Sequence, residues 1–198
     1  MEIQDADVIL VQGRSWLARA IRLVQREPGE PAVFNHVALG FLMSRGRRRD
    51  LAAISYPIPP AWVGQPCVIE ALWRVRISPW EIFLRQNPAI AVGRHLGIYK
   101  AGQERIVRLA LTYAAQPYSL ARLLAQAGEK LTNRPLTMGL GPGQVICSSL
   151  VALPYWVESA TRFEGKDWRR CTPDDIDDHL KRAPDWQIWL PAKTETMG

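Results

Sequence analysis

The chemistry open to this chain of 198 residues is bounded by three cysteines, Cys67, Cys147 and Cys171, and three histidines, His36, His95 and His179. A thiol beside an imidazole can attack a carbonyl carbon as a thiolate, whereas three cysteines without close paired spacing build neither a disulfide framework nor a zinc site. Cys147 stands apart by position. It follows Gly139, Gly141 and Gly143 and opens the run Cys-Ser-Ser-Leu-Val-Ala-Leu, which places it at a helix N-terminus. Free backbone N–H groups and the helix dipole there favour a thiolate and can receive an oxyanion. Taken alone, a cysteine in an apolar stretch is more often packing.

His36 sits in an apolar strand in which Phe34, His36, Ala38 and Gly40 share one face, so small side chains leave room beside the imidazole. A lone histidine there also reads as a satisfied core group. Glu70 lies within Cys-Val-Ile-Glu-Ala-Leu-Trp. An unpaired carboxylate is costly to bury, so Glu70 either faces water from an edge strand or meets a cation or a histidine N–H. A glutamate orienting His36 would satisfy both groups. His95 has no obvious acidic neighbour, His179 reads as a surface residue beside Asp177 and Asp178, and Cys67 and Cys171 have no constellation around them. The three glycines do not make a dinucleotide loop, because Gln144 stands where the last glycine belongs.

These residues need elements to hold them. Segment 7–12, closed by Gly13, reads as a buried strand, and Ser15 then caps an amphipathic helix that Pro28 stops. Segment 34–43 has strand composition and is expected to end in a solvated hairpin tip at Arg45 to Arg49. Pro57, Pro59, Pro60 and Pro66 delay the next strand to about Cys67, from which it is expected to run to about Arg76. Ser78-Pro79-Trp80-Glu81 reads as a capping box for a short helix through Phe83 and Leu84. Segment 89–99 reads as a strand, 103–115 and 118–129 as helices, and 131–144 as loop. The apolar run 145–156 should kink or end at Pro154, Thr172-Pro173-Asp174-Asp175 starts another helix, and 185–190 reads as a last strand. No repeat or linker divides residues 1–198, which gives one α+β domain.

Hydrophobic residues make up 47% and charged residues 22%, a balance that excludes a disordered chain. The formal charge of +6 mildly favours acidic partners, but the arginine run at 45–49 lacks interleaved aromatics for stacking bases, so no nucleic acid is expected. There is no basic leader and no apolar run near the ~20 residues of a membrane span, so a cytoplasmic location is expected. No cofactor and no metal is expected, and the oligomeric state is open.

The order of motifs Asp-Val-Ile-Leu-Val-Gln-Gly, Arg19-Ala20-Ile21, Asn35-His36-Val37-Ala38-Leu39-Gly40, Val68-Ile69-Glu70-Ala71, Gln116-Pro117-Tyr118, Cys147-Ser148-Ser149-Leu150-Val151 and Thr172-Pro173-Asp174-Asp175-Ile176 resembles the permuted papain-like hydrolases of the NlpC superfamily, in particular the YiiX-like branch. The resemblance implies a circularly permuted papain-like fold, a small antiparallel sheet or barrel packed against helices, in which the histidine precedes the cysteine. It implies Cys147 as nucleophile, His36 as general base and later acid, and Glu70 as the group that orients His36, with Tyr118 and Ser148 at the substrate or oxyanion. The implied substrates are peptides, peptidoglycan fragments or lipid acyl groups, the last with peripheral membrane contact to which Trp156, Trp168, Trp186 and Trp189 would be suited. Ala6, Gln116, Ser119 and Ser149 depart from the family's usual residues, and these changes bear on the pocket rather than on the triad.

Overall fold

The computed structural model describes residues 2–13, 22, 32–87, 89–117 and 145–189. Six strands form one antiparallel sheet: β1 (Asp7–Val11), β2 (His36–Leu42), β3 (Pro66–Ala71), β4 (Val75–Pro79), β5 (Ile90–His95) and β6 (Trp186–Trp189), in the order β4-β3-β2-β1-β5-β6. Among the described residues five α-helices with defined ends accompany them: α1 (Arg45–Ala53), α2 (Trp80–Gln86), α3 (Lys100–Leu111), α4 (Cys147–Ser159) and α5 (Pro173–Arg182).

The apolar run of β1 is buried at every residue because the strand has a neighbour on each side and cover on both faces. Strand alternation divides the interior in two. Val8, Leu10, Val37, Leu39, Phe41 and Ile69 join the larger cluster with residues of α3, α4 and α5, while Ile9, Val11, Ala38, Val68 and Val92 pack with Trp80 and Phe83 of α2. α4 lies against β2 and β3, and α2 against β3 and β4.

Several expectations hold with small shifts in their ends. Thr172 caps α5 as read, its Oγ1 accepting from the Asp175 N–H at 3.2 Å while Asp175 reaches back to the Thr172 N–H at 2.8 Å. Others are corrected. The strand expected from Cys67 to about Arg76 is a hairpin, β3 and β4, turning at Leu72, Trp73 and Arg74, where the Leu72 N–H donates to the Arg74 carbonyl at 3.2 Å. No glycine, proline, asparagine or aspartate marks that turn, so local chemistry did not announce it.

The arginine run is not a hairpin tip but the first turns of α1, capped by Ser44. Arg47 is buried there and donates through two nitrogens to Asp5 at 2.7 Å each, with Glu104 as a second carboxylate partner. Ser78 forms no capping box: β4 runs through Pro79, α2 begins at Trp80, and the Ser78 hydroxyl is buried without a hydrogen-bond partner among the described residues. Phe34 precedes β2 and joins the cluster of Val37 and Leu39, so it does not share the face of Ala38.

Pro154 neither ends nor splits α4, which continues to Ser159. Burial of Leu150, Val151 and Tyr155, together with a hydrogen bond from the Tyr155 hydroxyl to the Ala6 carbonyl, outweighs the one lost backbone bond. The helix stops at exposed Ala160, which adopts the left-handed region with φ 53°. A Cβ is strained there, so Ala160→Gly is expected to stabilise the protein by about 0.5–1 kcal/mol. A higher urea midpoint would show it, and an unchanged or lower one would show that the turn is unstrained.

The expected helix after Ser15, the helix at 118–129, the loop at 131–144 with its three glycines, and Tyr118 lie outside the described residues, apart from Arg22.

Candidate active site

His36 is the first residue of β2 and Cys147 the first of α4, and Cys147 lies near enough to the imidazole to act on its charge. The position of each is set locally. Asn35, buried just before His36, ties the ends of β1 and β2 together: its Oδ1 accepts from the Gly13 N–H at 2.7 Å and from Arg22 at 3.0 Å, and its own N–H donates to Val11 at 3.1 Å. At the start of α4, the Ser149 hydroxyl turns back on Ile146, accepting from its N–H at 3.0 Å. The first-turn N–H groups of a helix have no intrahelical acceptor, so those at Cys147 and Ser148 are the donors nearest the thiol.

Glu70 is placed by register. It pairs with Ala38 on one side and Arg76 on the other, and Ala38 shares its face with His36 two residues before it. The carboxylate is buried, with 2% of its side chain exposed. Its Oε2 meets His36 Nε2 at 2.9 Å, while its Oε1 accepts from Arg76 Nε at 2.8 Å. With Nε2 engaged by Glu70, Nδ1 is the ring nitrogen left for Cys147. The alternatives raised by the sequence thus resolve together, since Glu70 meets both a histidine and a cation and His36 is more than a packed core residue.

The electrostatics follow from this arrangement. Burial penalises the charged His36 ring, but hydrogen bonds with Cys147 and Glu70 and their negative charges outweigh it and raise the His36 pKa to about 10. Burial would push the Glu70 carboxyl up, yet His36 and then Arg76 hold it below the usual carboxylate range. Both neighbours thus favour the charged form of the ring. By contrast, burial pushes the Cys67 thiol up to about 12, and burial with the nearby Asp175 charge pushes Cys171 well above its ordinary range.

Ser148 is fully buried beside Cys147, and its hydroxyl has no hydrogen-bond partner among the described residues. His95 and His179 stay outside the site. His95, contrary to expectation, has an acidic neighbour, Asp185, at 2.9 Å. His179 is half-buried rather than on the surface, edge-on to Phe163 with ring centroids 5.2 Å apart. Arg76 was missed as a site residue because an arginine on an edge strand normally reads as solvated; the signal was Glu70 itself, which demanded a cation.

No protein-family model matches the chain, and no curated protein matches it. Among solved structures it is similar to the crystal structure of the metalloprotein yiiX from Escherichia coli O157:H7, with a TM-score of 0.62 over 98% of each chain at 16% sequence identity. That likeness establishes a YiiX-like α+β fold.

Proposed function

We propose that the chain is a cysteine-dependent hydrolase working by acyl transfer in a circularly permuted papain-like arrangement, acting on amide bonds of peptides or cell-wall-derived fragments. The observation that carries this reading is the convergence of Cys147, His36 and buried Glu70 from three elements, with Glu70 Oε2 2.9 Å from His36 Nε2. The Cys147 thiolate attacks the substrate carbonyl carbon, and the N–H groups at the start of α4 receive the oxyanion. His36 gives its proton to the leaving nitrogen as the C–N bond breaks, leaving an acyl thioester on Cys147. A water then loses a proton to His36 and attacks the thioester, which releases the acid and restores the thiolate–imidazolium pair. Glu70 orients the ring throughout. Ser148, and Tyr118 by resemblance, line the substrate or oxyanion position.

The similar E. coli structure is named a metalloprotein, but the groups here do not fit a metal ion. Both Glu70 oxygens are taken, one by His36 and one by the Arg76 guanidinium, and Nε2 of His36 is engaged as well. Among the described residues no three His, Cys, Asp or Glu side chains group as ligands.

A panel of electrophilic probes presenting peptide, ester and thioester groups tests the proposal. Covalent labelling at Cys147 by the peptide probe, absent in Cys147→Ala, is the expected result. No labelling by any probe would remove the hydrolase reading.

A second reading, lipid ester or thioester chemistry at a membrane surface, is favoured by one feature. Leu72 and Trp73, 37% and 77% exposed, stand with Arg74 on the β3–β4 turn at the His36 end of the sheet. Of the tryptophans suited to that role, Trp186 is buried and Trp156, Trp168 and Trp189 are half-buried. No helix among the described residues is long and apolar enough to cross a membrane. Sedimentation with anionic liposomes at low and high salt discriminates, and absence of binding at both would exclude the membrane reading.

A further inference from the structure

We propose that Arg76 is a positioning residue of this site: by holding one oxygen of the Glu70 carboxylate it aims the other at His36 Nε2 and so turns Nδ1 toward Cys147. The inference rests on the hydrolase reading for its purpose, but its geometry stands separately. Arg76 lies directly across the β3–β4 ladder from Glu70. Its Nε and Nη2 both approach Glu70 Oε1 at 2.8 Å, and Nη2 continues to Gln86 Oε1 of α2 at 3.2 Å. The two Glu70 oxygens are thereby divided, Oε1 to Arg76 and Oε2 to His36. A carboxylate held at one oxygen alone can pivot about its last torsion, whereas one held at both cannot.

The burial asymmetry points the same way. Arg76 keeps 44% of its side chain exposed while Glu70 keeps 2%. An exposed pair contributes little to stability, but a carboxylate removed from water needs its partners to remain ionised. Charged groups around Glu70 are few. β2 presents His36, β4 presents Arg76, and Cys147 at the head of α4 acts through His36. α2 packs against β3 and β4, yet its charged residues Glu81 and Arg85 are exposed, and only neutral Gln86 reaches toward the pair, through Arg76. Removing Arg76 therefore removes the one cation other than His36 that favours the ionised form of Glu70 among the described residues.

The test is the pH profile of Cys147 alkylation by iodoacetamide in wild type, Arg76→Lys and Arg76→Gln. Without the guanidinium, Glu70 protonates at higher pH and can no longer hold the imidazolium, so the acid limb should move up by about one pH unit in Arg76→Gln. Arg76→Lys keeps the charge but loses the two-nitrogen contact, and should recover part of the shift. Both variants should fold, because buried Val75 and Ile77 anchor β4 from its other face. A uniform fall in rate with an unmoved acid limb would mean a merely structural role and would overturn the proposal.

Nitrogen NMR of His36 supplies a readout that does not depend on reactivity. The Nε2 resonance should shift between wild type and Arg76→Gln, and identical spectra would likewise overturn the proposal. If wild-type Cys147 proves no more reactive than Cys67 and Cys171, the hydrolase reading fails on its own, and the NMR comparison still decides Arg76.

Discussion

Iodoacetamide at neutral pH is expected to label Cys147 at least about a hundredfold faster than Cys67 or Cys171, because only a thiolate attacks and Cys147 has the His36 imidazole beside it while burial holds the other two thiols protonated. Burial raises the Cys67 thiol to about 12, which leaves roughly one molecule in 10⁵ as thiolate at pH 7 by the tenfold-per-unit relation. Burial and the charge of Asp175 also push the Cys171 thiol well above its ordinary range. Differences in intrinsic nucleophilicity take back part of so large a gap, which is why the expected ratio is smaller than the ratio of populations. Access acts in the same direction, since Cys147 keeps 6% of its surface exposed while the other two keep none. His36→Ala deletes the imidazolium and should erase most of the advantage. Peptide mapping by mass spectrometry after short exposure reads all three sites at once. Equal labelling, or a His36→Ala protein that reacts as fast as wild type, would remove the thiolate–imidazolium pair from any account of this protein.

The second large effect is expected from Glu70→Gln. The substitution keeps the shape and removes the charge, and Arg76 decides how the new amide sits. A guanidinium only donates, so it takes the amide oxygen, and the NH2 group is left facing His36 Nε2. Nε2 must then accept rather than donate, which moves the proton of the neutral ring to Nδ1 and sets two donors against each other whenever the ring is charged. Loss of a correctly oriented tautomer in comparable triads costs about 10²–10⁴ in turnover, and a fall in kcat/KM of that order is expected for whichever probe substrate is cleaved. The sign of the pH effect is also determined. Burial lowers the His36 pKa, while Cys147 and Glu70 together raise it to about 10. Without the Glu70 charge and hydrogen bond the balance moves back toward burial, so the basic limb of the pH–rate profile should move to lower pH. Thermal unfolding should also move to lower temperature, since the buried His36 ring and Arg76 lose the carboxylate charge they share. A basic limb that stays in place would show that Glu70 does not act on His36.

Much of the site was legible because its chemistry is scarce and local. A thiol after a glycine-rich approach, followed by a helical apolar run, locates the start of α4, since capping and periodicity act within a few residues. The capping box at Thr172 was readable for the same reason. Glu70 was legible as a problem, a carboxylate in an apolar strand. His36 was legible as one partner for it, but Arg76 was not, because it is six residues away along a chain that turns without any of the usual turn residues, and the pairing exists only once β3 and β4 share a register. Pro154 and the arginine run at 45–49 misled for the complementary reason. Their intrinsic tendencies were overridden by burial of Tyr155 against β1's approach and of Arg47 against Asp5 and Glu104, contacts with partners far along the chain.

By itself the amino-acid sequence determined which groups could react, three thiols and three imidazoles, and placed Cys147 at a helix start and His36 within a strand. Short-range rules suffice for that, because helix ends, strand runs and chain breaks depend on neighbouring residues. Only the tertiary structure decided which groups act on one another: that His36 stands between Cys147 and Glu70, that Arg76 completes the carboxylate's partners, and that Cys67 and Cys171 are fully buried. The reason is physical. Protonation and orientation depend on burial and on charges within a few ångströms, and those distances are set by strand register and helix packing between residues widely separated in the chain.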